Sequence, residues 1–561
     1  MQNNIPRPGQ GGIFLRHPLM TVFAFTLVCL FPVMLMRDFT TSNELRYLSI
    51  ADEAIANGHI FAFFNHGIPY ADKPPLYFWI VMLCKLLFGR HSCLALSMFS
   101  LIPAFIIVRT MDRWVMKGRP AMDRMALAGM TLTCVMFLGT MIVLRMDMLM
   151  TMFIVLALET FYRMYSGEGI RKSDPWMLPV WIFLALFTKG PVGLLMPPLS
   201  IAVFLAVRHD RKGFGKYLGF KTWGTIAVLA AVWLTCVWME GGKEYIDNLL
   251  IHQTVGRAVN AFTHAKPFWF YLVAILWSLA PYSLLLIGSF AASLLPADKR
   301  LDAAPPSDQK NSARKRSDLE VLFLCTIIST IAMLSSFSSK LPIYLVPVFP
   351  FCVYLFPIVR DRLGERGWMR WSVGIFSILF SVIGLAALAV LSGIVRIPAL
   401  DEVFNEYPFV REGPAVNGII LMTLANALGT IFLIRRKAWN IPVLLLVAGL
   451  FLAVFSASAL TREINPLIGY KAICDEVPEG MEVATVYLHR PENMDVYLGR
   501  EITDYAKDSD RLSKDLSESN TPTVVITKES KLEDDSVLRS IFEGRTTRKS
   551  GPYLLTVVDN R

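Results

Sequence analysis

The sequence predicts an α-helical polytopic membrane protein that ends in a small soluble α/β domain. Three observations predict it. Of 561 residues, 54% are hydrophobic and only 18% charged, a balance too apolar for a soluble enzyme. Apolar runs of about 16 to 26 residues recur from residue 18 to residue 458, and a helix needs ~20 residues to cross ~30 Å of hydrocarbon. Beyond residue 461 the pattern changes to short β-rich runs alternating with helix-like stretches. The net charge of +10 is unevenly divided: residues 1–460 carry 41 Lys/Arg against 26 Asp/Glu, and residues 461–561 carry 14 against 19. A basic membrane part and an acidic tail point to membrane orientation and argue against nucleic acid as a partner.

Taken in order, the run 18–36 follows Arg7 and Arg16 and is not followed by a small-residue cleavage site, which reads as a retained signal anchor. Thr41-Ser42-Asn43-Glu44 opens a helix expected to end at Gly58. The segment 76–89 is short, starts behind Pro74-Pro75 and contains Lys85, so it is expected to lie in the interface. Twelve further apolar segments follow, at 93–111, 124–144, 148–165, 176–188, 191–207, 222–239, 268–293, 320–338, 341–359, 371–393, 415–434 and 440–458. With 76–89 kept in the interface, about 13 transmembrane helices remain. That choice puts 28 of the basic residues of 1–460 on the N-terminal side and 13 on the other, as the positive-inside rule requires. The expected domains are therefore 1–460, with an external loop at 37–92 holding juxtamembrane helices, and an exported tail at 461–561. In the tail, strands are expected at 483–488, 523–527 and 553–558, and helices at 492–498, 508–517 and 531–542. Seven of the eight cysteines lie in or beside apolar segments and Cys474 alone lies in the tail, so no disulfide framework or CxxC metal site is expected.

The same topology puts Glu44, Arg46, Asp72, Lys73, Arg145, Asp147, Lys189, His252, Arg257 and Lys340 on the outer side. Ionisable groups at a membrane margin are costly unless solvated or paired, and a one-sided collection reads as a reaction site. Each stretch also has a plainer reading. Thr41 and Glu44 fit a capping box, and Arg46 fits snorkelling to the interface. In Asp72-Lys73-Pro74-Pro75 the prolines stiffen a helix start, where Lys73 is placed to bind a phosphate as a point charge; the alternative is a surface Asp–Lys pair. Arg145-Met146-Asp147 joins two spans through almost no loop. Thr188-Lys189-Gly190-Pro191 breaks an apolar run with a charge and two helix breakers. His252 and Arg257 share an external loop with His264, and a lone loop histidine is usually solvated. Lys340 and Tyr344 start the tenth span.

In this order and spacing these stretches resemble the membrane glycosyltransferases of the GT-C class. They are most similar to the bacterial branch of aminoarabinose lipid A transferases, related to the polyprenyl-phosphate-mannose protein O-mannosyltransferases. The resemblance covers about residues 15–460 and lies in the ordered set: Glu-x-Arg-Tyr at 44–47, KPPL at 73–76, Arg-x-Asp at 145–147, TKGP at 188–191, a His…Arg loop, and Lys-x-x-x-Tyr at 340–344. It implies a GT-C fold and transfer of a sugar, in that branch 4-amino-4-deoxyarabinose, from undecaprenyl phosphate to a lipid A phosphate, with inversion. It implies a multi-pass protein of the bacterial inner membrane with its N-terminus cytoplasmic and its active site and tail periplasmic.

Carried over residue by residue, Lys73, Arg257 and Tyr344 look like ligands of the donor phosphate. Glu44, Arg46 and Asp147 resemble catalytic residues. Asn43, Tyr47, Arg145, Lys189 and Lys340 look like cavity lining. Asp72 and His252 match positions that hold a divalent ion, zinc in that branch, where the family usually has Glu in place of Asp72. No organic cofactor is implied. The family pattern carries an aspartate where Asn43 stands, and an amide is no general base. A phosphate monoester acceptor is already anionic at neutral pH, so Asn43 is expected to favour a phosphate over a hydroxyl acceptor. A protein O-mannosyltransferase-like enzyme on the same fold and a lipid-linked sugar flippase are the competing readings.

Overall fold

Each of the fourteen apolar segments is helical in the computed structural model, which describes residues 12–250, 266–295, 316–436 and 438–559. Among the described residues nine helices are long and apolar enough to cross a membrane, and ten if the pair Ala121–Thr133 and Val135–Ile142, bent by 71°, counts as one span. The expected span at 268–293 is also broken, into Phe270–Ser278 and Ser283–Leu294. Leu76–Phe88, Pro191–Val207 and Ser283–Leu294 are shorter apolar helices, so the short segment behind the prolines has the expected length for an interfacial element.

The chain divides into two units. The first comprises Met1–Phe31, Ala71–Leu76 and Ser97–Ala457. The second comprises Pro32–Tyr70, Tyr77–Leu96 and Ser458–Arg561, so most of the 37–92 loop groups with the tail. Backbone accounting explains the grouping. The backbone N–H of Asp38 donates to Asn465 Oδ1 at 3.0 Å, Asn465 Nδ2 donates back to the Met36 carbonyl at 2.9 Å, and the Thr41 N–H donates to the Ile468 carbonyl at 3.3 Å. Loop backbone that no sheet or helix satisfies finds its partners in the segment entering the tail.

Within the first unit, basic residues that set the expected orientation turn out to be paired. Arg124 meets Asp112 at 2.6 Å, Arg163 meets Asp174 at 2.8 Å, and Arg360 and Arg362 meet Asp123 and Glu320 at 2.9 Å each. All four acids are buried, where an unpaired charge would be prohibitive. Sequence reasoning treats these arginines as loop charges; the acids they clasp sit inside or beside apolar runs, where no local pattern marks them.

In the second unit, the helix expected from Thr41 starts at Glu44 and runs to Asn57, closed by Gly58 at φ 71°. Two short strands, β1 (Phe64–Asn65) and β2 (Ile68–Pro69), form a hairpin. The tail holds β3 (Glu482–Thr485), β4 (Thr503–Asp504), β5 (Thr523–Lys528), β6 (Thr547–Ser550) and β7 (Tyr553–Val558) in one sheet of order β4-β3-β5-β7-β6. Strand β3 runs parallel to β4 and β5, and β7 antiparallel to β5 and β6. Val486, Leu512, Val525, Leu538, Phe542 and Leu554 form its core. The edge strands β4 and β6 were not foreseen. One is two residues long and the other reads Thr-Arg-Lys-Ser, polar throughout, as protected edges tend to be.

Candidate functional site

In the first unit the site is built on three junctions. Asp147 opens the helix Asp147–Ser166 behind the short turn 143–146, which Ser100 ties down by donating to the Val143 carbonyl at 2.8 Å. A carboxylate in a first turn is favoured by the helix dipole. Lys189 closes the helix Asp174–Lys189, and Gly190 then turns the chain at φ 97°, a conformation glycine adopts without strain. Pro191 starts the next helix. This fold-back aims Lys189 at Asp147, with which it forms a buried ion pair. The Lys189 ammonium also lies over the ring of Tyr344, 4.8 Å from its centroid. Asp147, Lys189 and Tyr344, taken from three separate motifs, are thus brought together.

Other candidates of this unit are placed less tellingly. Lys73 and Asp72 are both half-buried, and the Lys73 ammonium donates to the Asp72 carbonyl at 3.3 Å. Lys340 is buried, lies between the helices Asp318–Ser336 and Pro342–Val348, and donates to the Phe337 carbonyl and to the Lys266 carbonyl at 3.0 Å. The Arg145 carbonyl accepts from Ser100 at 3.4 Å, and its side chain is half-buried. His252, His264 and Arg257 lie outside the described residues.

In the second unit the motif start is rigid. Glu44 is buried, and its two carboxylate oxygens accept from both terminal nitrogens of Arg37 at 2.8 and 2.9 Å and from the Thr40 N–H at 2.8 Å. Burial opposes the Arg37 charge, and Glu44 more than offsets it, holding the guanidinium above its ordinary value. The expected Thr41 capping box is not formed: Asn43 stands at the helix N-cap, Glu44 opens the first turn, and its carboxylate reaches Thr40. Tyr47 is buried edge-on against Tyr77 and Phe78, with centroids 6.2 and 5.8 Å away, the packing of a core aromatic. Arg46 is half-buried, donates to Asn43 Oδ1 at 3.1 Å and lies over Tyr70 at 5.0 Å.

Sequence reasoning missed Arg37, which stands between a span and a loop like any flanking basic residue, and Arg490, which no tail motif marks. Arg490 donates to the Ser42 carbonyl at 3.2 Å from a left-handed backbone at φ 55°. Among the described residues no three His, Cys, Asp or Glu side chains gather as a metal site. Asp72 alone of the proposed ligands is described, so the described residues do not make up a zinc site, and no chemistry is derived from one.

No family model matches the chain. Among curated proteins it is similar to undecaprenyl phosphate-alpha-4-amino-4-deoxy-L-arabinose arabinosyl transferases. The one from Proteus mirabilis is 24% identical over 333 residues, 58% of this chain and 55% of that protein. One from Pseudomonas fluorescens is 22% identical over 484 residues, 83% of this chain and 77% of that protein. The chain spans 55% to 65% of the length of the first relatives it matches. Among solved structures, ArnT from Cupriavidus metallidurans bound to undecaprenyl phosphate superposes with a TM-score of 0.69 at 17% identity, covering 97% of this chain and 98% of that one. Its apo state gives 0.68. The fold is shared over almost the whole chain, the GT-C architecture that the ordered motifs imply.

Proposed function

We propose that this protein is a glycosyltransferase that moves a sugar, 4-amino-4-deoxyarabinose, from undecaprenyl phosphate to a lipid A phosphate. The reaction takes place on the periplasmic side of the bacterial inner membrane, with the N-terminus cytoplasmic and thirteen spans. The relatives' names supply the donor and the sugar. The observation that carries the acceptor is the state of the two carboxylates available as bases: Glu44 is committed to Arg37 and Thr40, and Asp147 to Lys189. A hydroxyl acceptor needs a carboxylate ready to take its proton. A phosphate monoester arrives as an anion and needs none.

The phosphate oxygen attacks the anomeric carbon, a new C–O bond forms, and the bond to the donor phosphate breaks with its electron pair leaving on that phosphate. A single displacement inverts the anomeric configuration. Lys73, Arg257 and Tyr344 stabilise the charge that grows on the leaving phosphate, the kind of electrostatic assistance that dominates such steps. Asp147 holds Lys189 in place, which in turn rests on the Tyr344 ring. Glu44 acts as a positioning residue for the 43–47 segment. A divalent ion, zinc in the resembling branch, would be held by Asp72 and His252; metal analysis of the purified protein and of Asp72→Ala checks this.

The test is mass spectrometry of lipid A and of exported proteins from cells with and without the gene, with the anomer of any new sugar resolved. Inverted aminoarabinose on lipid A phosphate is the expected result. Sugar on protein hydroxyls would replace this reading with an O-mannosyltransferase-like one. Movement of the lipid-linked sugar across sealed vesicles without a new bond would replace it with a flippase. Cysteines at positions 73 and 257 are expected to label from the periplasmic side.

A further inference from the structure

The second unit holds two guanidiniums over the same short stretch of chain, and neither has a carboxylate partner among the described residues. Arg490 reaches it from the tail, donating to the Ser42 carbonyl at 3.2 Å, and Arg46 reaches back to Asn43 Oδ1 at 3.1 Å. Both are half-buried. The Arg46 Nε is buried and has no hydrogen-bond partner among the described residues. Burial is the larger influence lowering the Arg490 charge, and the Arg46 charge is the next; Glu492 offsets them in part. Partly buried like charges of this kind are unfavourable until an anion joins them, and arginine forks suit the oxygens of a phosphate. The stretch is fixed in place for the purpose, because Glu44 is pinned by Arg37 and Thr40 immediately beside it. Arg490 pays in strain for its position, since a non-glycine residue at φ 55° is disfavoured.

We infer that Arg46 and Arg490 form the subsite for the acceptor's phosphate monoester. The tail thereby contributes a ligand to substrate binding. This deepens the transferase reading and rests on it for the identity of the anion as acceptor, not donor.

The experiment uses the full chain in lipid nanodiscs. Transfer is measured with lipid A varied at saturating donor and with donor varied at saturating lipid A. Binding of fluorescent lipid A is measured separately without donor, against lipid A stripped of its phosphates. Arg490→Gln and Arg46→Gln are each expected to raise the acceptor KM roughly 10- to 100-fold, the range for losing a hydrogen bond to a charged group. The donor KM should stay fixed, and Arg490→Lys should recover part of the loss. Thermal melting identifies any variant that fails to fold, and Arg490→Lys then stands in for it. An unchanged acceptor KM and unchanged binding in a folded Arg490→Gln would overturn the inference, as would a shift in donor KM alone. If the wild-type protein transfers nothing to lipid A yet binds it in a phosphate- and Arg490-dependent way, the subsite stands and the transferase reading falls.

Discussion

Glu44 shows how a partner outside any motif sets a residue's surroundings. Its place in a Glu-x-Arg-Tyr stretch marks it, but Arg37, seven positions upstream and outside any motif, decides what it does. With side chains only 6% and 3% exposed, the pair should be sensitive to loss of either partner. Arg37→Ala is expected to cost about 3–5 kcal/mol, the range for stranding a buried charge, read as a fall in melting temperature. Lys73→Ala tests the leaving-group role: a loss of ~10²–10³ in turnover is expected by analogy with lost oxyanion donors, with folding intact. Asp495 offers a pH test. Burial raises its carboxyl above the usual range, more than Ser49, which donates to it at 2.8 Å, and the nearby His66 lower it. An acid so raised binds its proton more tightly folded than unfolded, so its contribution is most favourable at low pH and is lost as pH rises from the ordinary value of ~4 through the raised one. The wild-type melting temperature should therefore fall relative to that of Asp495→Asn across that window. Asp495 was illegible in sequence because its partners Ser49 and His66 lie near the other end of the chain.

Among the elements, the Thr-Lys-Gly-Pro junction was readable and its tolerance was not. Two helix breakers beside a charge announce a fold-back between helices, and Gly190 supplies the turn. Gly193 carries no such signal, yet a Cβ there would stand 2.3 Å from the Ala185 carbonyl, so the two helices meet backbone to backbone. Gly193→Ala is expected to push them apart, costing about 1–3 kcal/mol as overpacking does and displacing Lys189 from Asp147. Reduced melting temperature together with reduced turnover would bear this out; unchanged values for both would show that the junction relaxes freely. The broken helices at Cys134 and at residues 279–282 were likewise unforeseen, because hydropathy measures how apolar a run is and not whether it is straight. The tail's central strands were legible from their β-branched runs, and its polar edges were not.

For the molecule as a whole, the fold class and the order of the helices were open to reading because a bilayer imposes one length and one polarity on every span. The grouping of residues 32–70 with the tail was not, since it depends on contacts between residues far apart in the chain. If the loop and tail form one unit, removing residues 458–561 should leave the helical bundle inserted and make residues 37–70 a target for added protease, as seen by mass mapping of the fragments. Resistance of that loop in the shortened protein would show that it folds without the tail.

The interleaving also sets a schedule for biogenesis. The loop emerges early in synthesis, and the segment that completes it begins only at residue 458. At about 5–20 residues per second, the roughly 360 residues in between occupy the ribosome for on the order of half a minute. Throughout that interval the half-made second unit must wait beside the translocon, with the Asp38 and Thr41 backbone and the Ser49 hydroxyl still lacking their partners in the tail. A nascent chain stalled before the last span is therefore the species on which chaperones and proteases would be expected to act.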